Sequence, residues 1–240
     1  MTASATFMIM TPWGRVGSNL FLNSLGQAVG PMAHKFANEN FNLLRDPDAQ
    51  LAWTRAYYTA EDAPDLVGSK QNMLSVGDRA KMSDLLAELA VPLIRLRRVN
   101  VLRVAVSLLR AEIYAARSLE QTGVRVWGVR SDREPLGPEP LDPKRFVQVA
   151  AHAQFADGLL NAFSPATRTL DIDYRQLEGG GDLAVEQVCD WLGVAVHKKA
   201  RPAFNKATPD DLAQAVPNLA SLRDALRKSP LRSLEWMFDA

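Results

Sequence analysis

The chain has one cysteine, Cys189, in 240 residues. An internal disulfide is therefore excluded, no Cys/His cluster points to zinc, and the usage fits a reducing compartment. Histidine is almost as scarce. His34, His152 and His197 are the three, too widely spaced to supply a metal centre. No apolar run reaches the length of about 18 residues that marks a membrane-spanning helix. The N-terminus lacks a basic segment ahead of its short apolar run, so no signal peptide is expected and a cytoplasmic location is. An excess of one charge is also missing. Lys and Arg number 28 against 27 Asp and Glu, net +1, which gives no overall pull toward nucleic acid or a membrane surface.

What is present is an ordinary globular composition, 47% hydrophobic and 23% charged, long enough for a sizeable core in one domain spanning 1–240. Phe7 to Met10 form a short apolar run suited to a buried first strand. Pro12, Gly14 and Gly17 then punctuate a turn. Ser18 and Asn19 offer N-cap chemistry to a helix carrying Leu20, Phe21, Leu22 and Leu25. A strand, a glycine loop and a helix N-terminus together favour an anion, through unpaired backbone N–H groups and the helix dipole. A Walker A loop needs four residues between its glycines and then Gly-Lys-Ser/Thr. Here Arg15 and Val16 alone separate Gly14 from Gly17, and no Lys precedes Ser18.

With its cation early, Arg15-Val16-Gly17-Ser18-Asn19-Leu20 resembles the 5′-phosphosulfate loop of the sulfotransferases that use 3′-phosphoadenylyl sulfate (PAPS), in the bacterial "R-x-G-S-N-L" form. Val16 stands where Ser or Thr is commoner, so more of the binding falls to the backbone. The region Gly30 to Asp48 reads as loop around a lone carboxylate. Asn38-Glu39-Asn40-Phe41-Asn42 is similar to the family's "G-E-[FL]-F-N" element, which implies Glu39 as catalytic base. A carboxylate in a partly desolvated cleft has chemistry suited to that task. His34 is the alternative base. Ala49 to Thr59 reads as a helix whose Trp53, Tyr57 and Tyr58 serve core or wall. Leu66 to Lys70 reads as a second strand, and the family's "G-x-K" at this place implies that Lys70 faces the transferring group.

Val91 to Ile94 is strand-like, with Arg95, Arg97 and Arg98 crowding its C-terminal end, where open parallel sheets bind ligands. Asn100 can cap the next helix. Leu102, Val106, Leu109, Ile113 and Ala116 fall on one face of it and Asn100, Arg103, Ser107, Arg110 and Arg117 on another. An Arg near a helix start with a Ser two turns on makes a phosphomonoester clamp. Leu96-Arg97-Arg98-Val99-Asn100 and Arg103-Val104-Ala105-Val106-Ser107 resemble the family's 3′-phosphate motif, "L-R-R-x-N-x-x-R-x-A-V-S". The match implies Arg98 and Ser107 as the 3′-phosphate holders, with Arg97 or Arg103 able to share the role.

Gly123 to Val129 suits a strand or an extended loop. The Pro-rich stretch 134–143 excludes regular structure and reads as either a flap or a connector. A helix over Pro143 to Phe163 and a strand over Thr167 to Asp173 follow. Asp171 to Leu177 resembles the family's "Y-E-D-L" junction. A helix over Leu183 to Leu192, capped by Gly193, resembles its packing helix, with Cys189 and Trp191 in the core. Phe204 to Pro209 resembles the late nucleotide loop, which implies Lys206 near the 3′-phosphate. The part from 209 to 240 reads as helical, and Leu231, Leu234, Trp236 and Phe238 form an apolar tail for the body or a partner subunit, so a homodimer is left open.

The alternation predicts an α/β fold with a P-loop-like parallel central sheet flanked by helices. Two anion sites suit a nucleotide with phosphate at both ends. The resemblance implies a metal-free PAPS-dependent sulfotransferase, releasing adenosine 3′,5′-bisphosphate and acting on a carbohydrate, lipid or small-metabolite hydroxyl. A P-loop kinase or NTPase, with Asp171 or Asp173 as metal-handling carboxylate, and a non-catalytic nucleotide-binding protein are the other readings.

Overall fold

The computed structural model describes residues 5–30, 34–126, 136–199, 208–209 and 211–239. The chain divides into two compact units, Met1–Arg98 with Ala156–Arg201 and Val99–Phe155 with Pro202–Ala240.

The first unit is an α/β sandwich on a five-stranded sheet made of β1 (Ala5–Thr11), β2 (His34–Asn38), β3 (Leu66–Asn72), β4 (Leu93–Arg97) and β5 (Thr169–Asp173), in the order β2-β3-β1-β4-β5 and parallel in every pairing. β1 (Ala5–Thr11) lies at its centre, and its last five residues are buried, as expected where helices cover both faces of a parallel sheet. Phe7 and Ile9 face a core with Phe21 and Leu25 of α1 (Ser18–Ala28) and Val185 and Val188 of α6 (Asp182–Leu192). Met8 and Met10 face the other core with Phe41, Met73, Met82 and Leu86. That second layer is built on α2 (Pro47–Tyr58) and α3 (Arg79–Glu88). Cys189 lies in the first core, as the sequence predicts, and Gly193 ends α6 in the left-handed conformation.

β3 (Leu66–Asn72) is buried throughout although four of its seven residues are polar. Opposite Phe7 it carries Gly68, where a Cβ would stand 2.1 Å from the Phe7 ring, so glycine is what lets that ring lie on the strand. Two corrections to the sequence reading arise beside it. The region read as loop contains β2 (His34–Asn38), an exposed edge strand, and a 3₁₀ turn at Asn40–Asn42. Its short, polar character, with Lys35 and His34 outward, blunts an edge and hides the strand from a hydrophobic-pattern search. α3 was also not anticipated, although Asp78 caps it and Met82, Leu85 and Leu86 fall at helical spacing.

β4 is Leu93–Arg97, so Arg95 and Arg97 belong to the strand itself. Both are engaged there. Arg95 pairs through two nitrogens with Asp171 on β5 (Thr169–Asp173), its register partner, at 2.8 and 2.7 Å. Arg97 donates to Asp157 at 2.6 Å and Asn161 at 2.7 Å.

The second unit holds α4 (Val101–Thr122), most of α5 (Pro143–Ala162), α7 (Leu212–Ala215), α8 (Leu219–Arg227) and a 3₁₀ turn at Arg232–Phe238. Asn100 caps α4, as expected, by accepting from the Arg103 amide at 3.0 Å, and its own amide donates to the Met237 carbonyl at 2.5 Å. α4 departs from the two-faced pattern. From Val101 to Ala111 every residue but Arg103 is buried, Ser107 and Arg110 included, while Ala116 is exposed. The described part of the Pro-rich stretch is tied to the helices beside it by hydrogen bonds. Arg110 donates to the carbonyls of Leu136 and Gly137, Arg117 pairs with Glu139, and Leu141 exchanges hydrogen bonds with Asn218. In the tail Met237 and Phe238 are buried and Trp236 is exposed. Trp127 and Val129 of the possible strand lie outside the described residues.

Candidate active site

β1 sends its connection to β2 on one side of the sheet, and β4 sends its own to β5 on the other. Between the carboxyl ends of β1 and β4 the strand order reverses, which is where open α/β sheets form a binding crevice. The chain leaving β1 is the glycine loop, the chain leaving β4 begins with Arg98, and the chain leaving β5 begins with Tyr174.

The loop is conformationally strained in a defined way. Arg15 has φ 68° and Gly17 φ 78°. A non-glycine residue in the left-handed region costs of order 1–3 kcal/mol and persists where its surroundings impose it, commonly at ligand clamps. Val16 between them is buried in the core and anchors the loop. Gly17 itself is the N-cap of α1, with Ser18 and Asn19 already helical and no side chain capping the first turn. This corrects the expectation that Ser18 and Asn19 cap the helix. It leaves the role of satisfying the first-turn amides to a ligand or solvent.

Gly17 has no room for a side chain. A Cβ there would stand 2.8 Å from Leu177 and 3.0 Å from the Tyr174 ring. The guanidinium of Arg98 lies over that same ring at 4.2 Å, itself only 8% exposed. Arg15 belongs to the same cluster. Burial holds its guanidinium below the ordinary range, Tyr174 works in the opposite sense, and the like charge of Arg98 adds to the lowering. Arginine remains a cation under such shifts. Two cations therefore converge beside one aromatic ring and one uncapped helix terminus.

One strand away, Lys70 of β3 is 3% exposed. Its ammonium donates to Glu39 Oε1 at 2.5 Å and to Asn19 Oδ1 at 3.3 Å. Asn19 thus links α1 to Lys70. Glu39 follows β2, has φ 55°, and donates its amide to the Lys70 carbonyl at 2.7 Å. Its second oxygen, Oε2, accepts from Asn42 at 2.9 Å. The Glu39 side chain is 34% exposed, so it is open to an incoming group while Lys70 is not. His34 stands at the amino end of β2, four register positions from the Asn38–Lys70 pair, and so at the opposite end of the sheet from Glu39.

Arg15, Gly17, Asn19, Glu39, Lys70 and Arg98 thus belong to the first unit and to the carboxyl ends of its strands. Ser107 belongs to the second unit, buried on α4. Lys206 lies outside the described residues. Tyr174 and Asn42 were not among the expected site residues, although each sits inside a quoted stretch. Asp171 and Asp173 are committed elsewhere, Asp171 to Arg95 and Asp173 to capping the turn Tyr174–Gly180. Among the described residues no group of three or more His, Cys, Asp or Glu could hold a metal ion, and no helix is long and apolar enough to cross a membrane.

No family model matches the chain. No curated protein matches it either. Among solved structures it is similar to a sulfotransferase from Alicyclobacillus acidocaldarius, with 15% identity, 95% of this chain and 98% of that chain covered, and a TM-score of 0.47.

Proposed function

We propose that the chain is a sulfotransferase that moves a sulfuryl group from PAPS to the hydroxyl of a carbohydrate, lipid or small metabolite. The observation that carries this reading is the shared contact of Gly17 and Arg98 with Tyr174, which brings the two anion-binding stretches of the sequence to one aromatic ring. The residues suit the donor's chemistry. PAPS carries anionic groups at both ends of an adenosine, and this crevice offers the uncapped amides of the first turn of α1 together with the guanidinium groups of Arg15 and Arg98. When bound, the donor supplies the sulfuryl group.

In this reading Arg15 and the amides after Gly17 hold the 5′ end and offset charge that grows on the phosphate oxygen. Arg98 holds the 3′-phosphate through its planar fork. Glu39 takes the proton of the acceptor hydroxyl, and Lys70 holds the carboxylate through Oε1. The commitment of Asp171 and Asp173 to Arg95 and to a turn weighs against the kinase reading, which needs a strand-end carboxylate for Mg²⁺.

Calorimetry with adenosine 3′,5′-bisphosphate, and separately with ATP and Mg²⁺, tests the assignment. The bisphosphate is expected to bind and ATP with Mg²⁺ to bind weakly. The reverse order overturns the proposal. Labelled-sulfate transfer by Glu39→Ala then separates an enzyme from a binding protein, since full activity in that variant removes Glu39 as base.

A further inference from the structure

The carboxylate of Glu39 is held by two different donors, and the difference between them assigns work to its two oxygens. Oε1 receives the Lys70 ammonium, a full positive charge, at 2.5 Å. Oε2 receives a neutral amide, Asn42 Nδ2, at 2.9 Å. Oε1 is taken up by a buried cation, so Oε2, held by a neutral donor, is the oxygen left to meet an incoming hydroxyl. Asn42 decides where Oε2 points.

Asn42 is itself fixed. Its carbonyl oxygen accepts from Asn72 Nδ2 at 2.9 Å and from Ser75 Oγ at 2.5 Å. The Asn72 amide nitrogen on that oxygen and the Glu39 carboxylate on the other side select this amide orientation, since a flip would set nitrogen against nitrogen and oxygen against oxygen. The Ser75 hydroxyl lies within reach of both Asn42 Oδ1 and Asn72 Oδ1. Asn72 is held in turn, its Oδ1 accepting from the Ser75 amide at 3.1 Å. The turn that carries Glu39 and Asn42 is stapled to consecutive residues at the end of β3. The Glu39 amide bonds the Lys70 carbonyl, the Phe41 amide bonds Gln71 Oε1 at 3.1 Å, and Asn42 bonds Asn72. Within this turn Glu39 holds a left-handed φ of 55°.

We infer that Asn42 is a positioning residue, which through Asn72 and Ser75 locks the Glu39 carboxylate with Oε2 as the proton-accepting atom. The inference rests on the reading of Glu39 as the base. The proton moves from the acceptor hydroxyl to Oε2, and the hydroxyl oxygen keeps the electron pair. Among the described contacts the charged group against Glu39 is Lys70 from β3, and Asn42 from its own turn is neutral.

The test uses the full chain with PAPS as donor and methyl glucoside and 2-naphthol as probe acceptors, following release of adenosine 3′,5′-bisphosphate. Glu39→Gln is expected to abolish turnover. Asn42→Ala is expected to lower kcat about tenfold with the dissociation constant for adenosine 3′,5′-bisphosphate unchanged, which also shows that the variant is folded. Asn42→Asp keeps the oxygen that Asn72 and Ser75 hold but sets a second carboxylate against Oε2. The acid limb of its kcat/KM profile is expected to move to higher pH, further than in Asn42→Ala. In a Glu39→Gln background, Asn42→Ala is expected to cost nothing more. Carbon-13 NMR of labelled glutamate reads the Glu39 titration without turnover and is expected to move in the same direction. Unchanged turnover in Glu39→Gln overturns the base reading. Loss in Glu39→Gln together with an unmoved rate, profile and titration in both Asn42 variants overturns the positioning role alone.

Discussion

The Arg98 guanidinium rests 4.2 Å above the ring of Tyr174, and the same ring occupies the space into which a side chain at Gly17 would grow. Tyr174→Ala removes a cation–π contact worth about 0.5–2 kcal/mol and the backing of the loop together. Affinity for adenosine 3′,5′-bisphosphate, read by calorimetry, is expected to fall about tenfold. Tyr174→Phe, which keeps the ring, is expected to stay within about threefold of the parent.

Gly17→Ala places a methyl group 2.8 Å from Leu177 and 3.0 Å from Tyr174, at a φ that disfavours side chains. The expected result is a loss of about 1–3 kcal/mol in stability by urea denaturation. Nucleotide affinity is expected to weaken as well, because relief of the clash moves the loop.

Arg15 and Arg98 repel each other, each a cation within the other's field. Arg98→Ala and Arg15→Ala are each expected to lose about 1.5–3 kcal/mol of nucleotide binding, the usual worth of a charge-assisted hydrogen bond. Thermal melting checks the pattern. Added adenosine 3′,5′-bisphosphate is expected to raise the parent's Tm and to raise that of either variant much less, since ligand stabilisation follows affinity.

Two substitutions of Glu39 are expected to differ in stability. Glu39→Ala strands a nearly buried ammonium, whereas Glu39→Gln leaves it an oxygen to bond. Breaking a fully buried pair costs about 3–5 kcal/mol, but Glu39 is one-third exposed, so about 1–2 kcal/mol is expected after solvent screening. Comparing the denaturation midpoints of the two variants reads the difference, with Glu39→Gln the more stable.

Alkali is expected to unfold the protein progressively. Burial pushes the Cys189 thiol up to about 11, with Asp190 adding to it, and pushes the Tyr57 phenol up to about 12. Above their ordinary values the unfolded chain releases protons that the native state keeps. Stability is therefore full below about pH 9 and falls as pH rises toward 12. Urea denaturation across that range checks the slope. Cys189→Ala is expected to flatten its part between about pH 9 and 11.

Legibility from sequence followed what each element rests on. β1, β3, β4, α2, α4, α5 and α6 announce themselves through apolar runs, caps and helical spacing. β2 is His-Lys-Phe-Ala-Asn, an edge strand defined by its hydrogen bonds to β3, and no local pattern carries that information. The same division holds in the site. Gly17 and Arg98 stand at a glycine loop and a strand end that the sequence marks, and Glu39 and Lys70 stand in stretches that resemble family motifs. Tyr174 is brought to Gly17 by sheet order across more than 150 positions, and the hold of Asn72 on Asn42 spans 30. Ser18 and Asn19 have cap chemistry, but the left-handed φ that makes Gly17 the cap is a backbone angle that residue types do not spell out.

The strand order has a consequence for assembly. The cradle has its loop from the first strand and its floor from the last, and β4 must lie between them before either means anything. Until β5 docks, Arg98 has no ring beneath it and the loop has nothing to lean on. On the proposed function, nucleotide capture is a gauge of the sheet's completion, and a chain halted one strand short is expected to lack it.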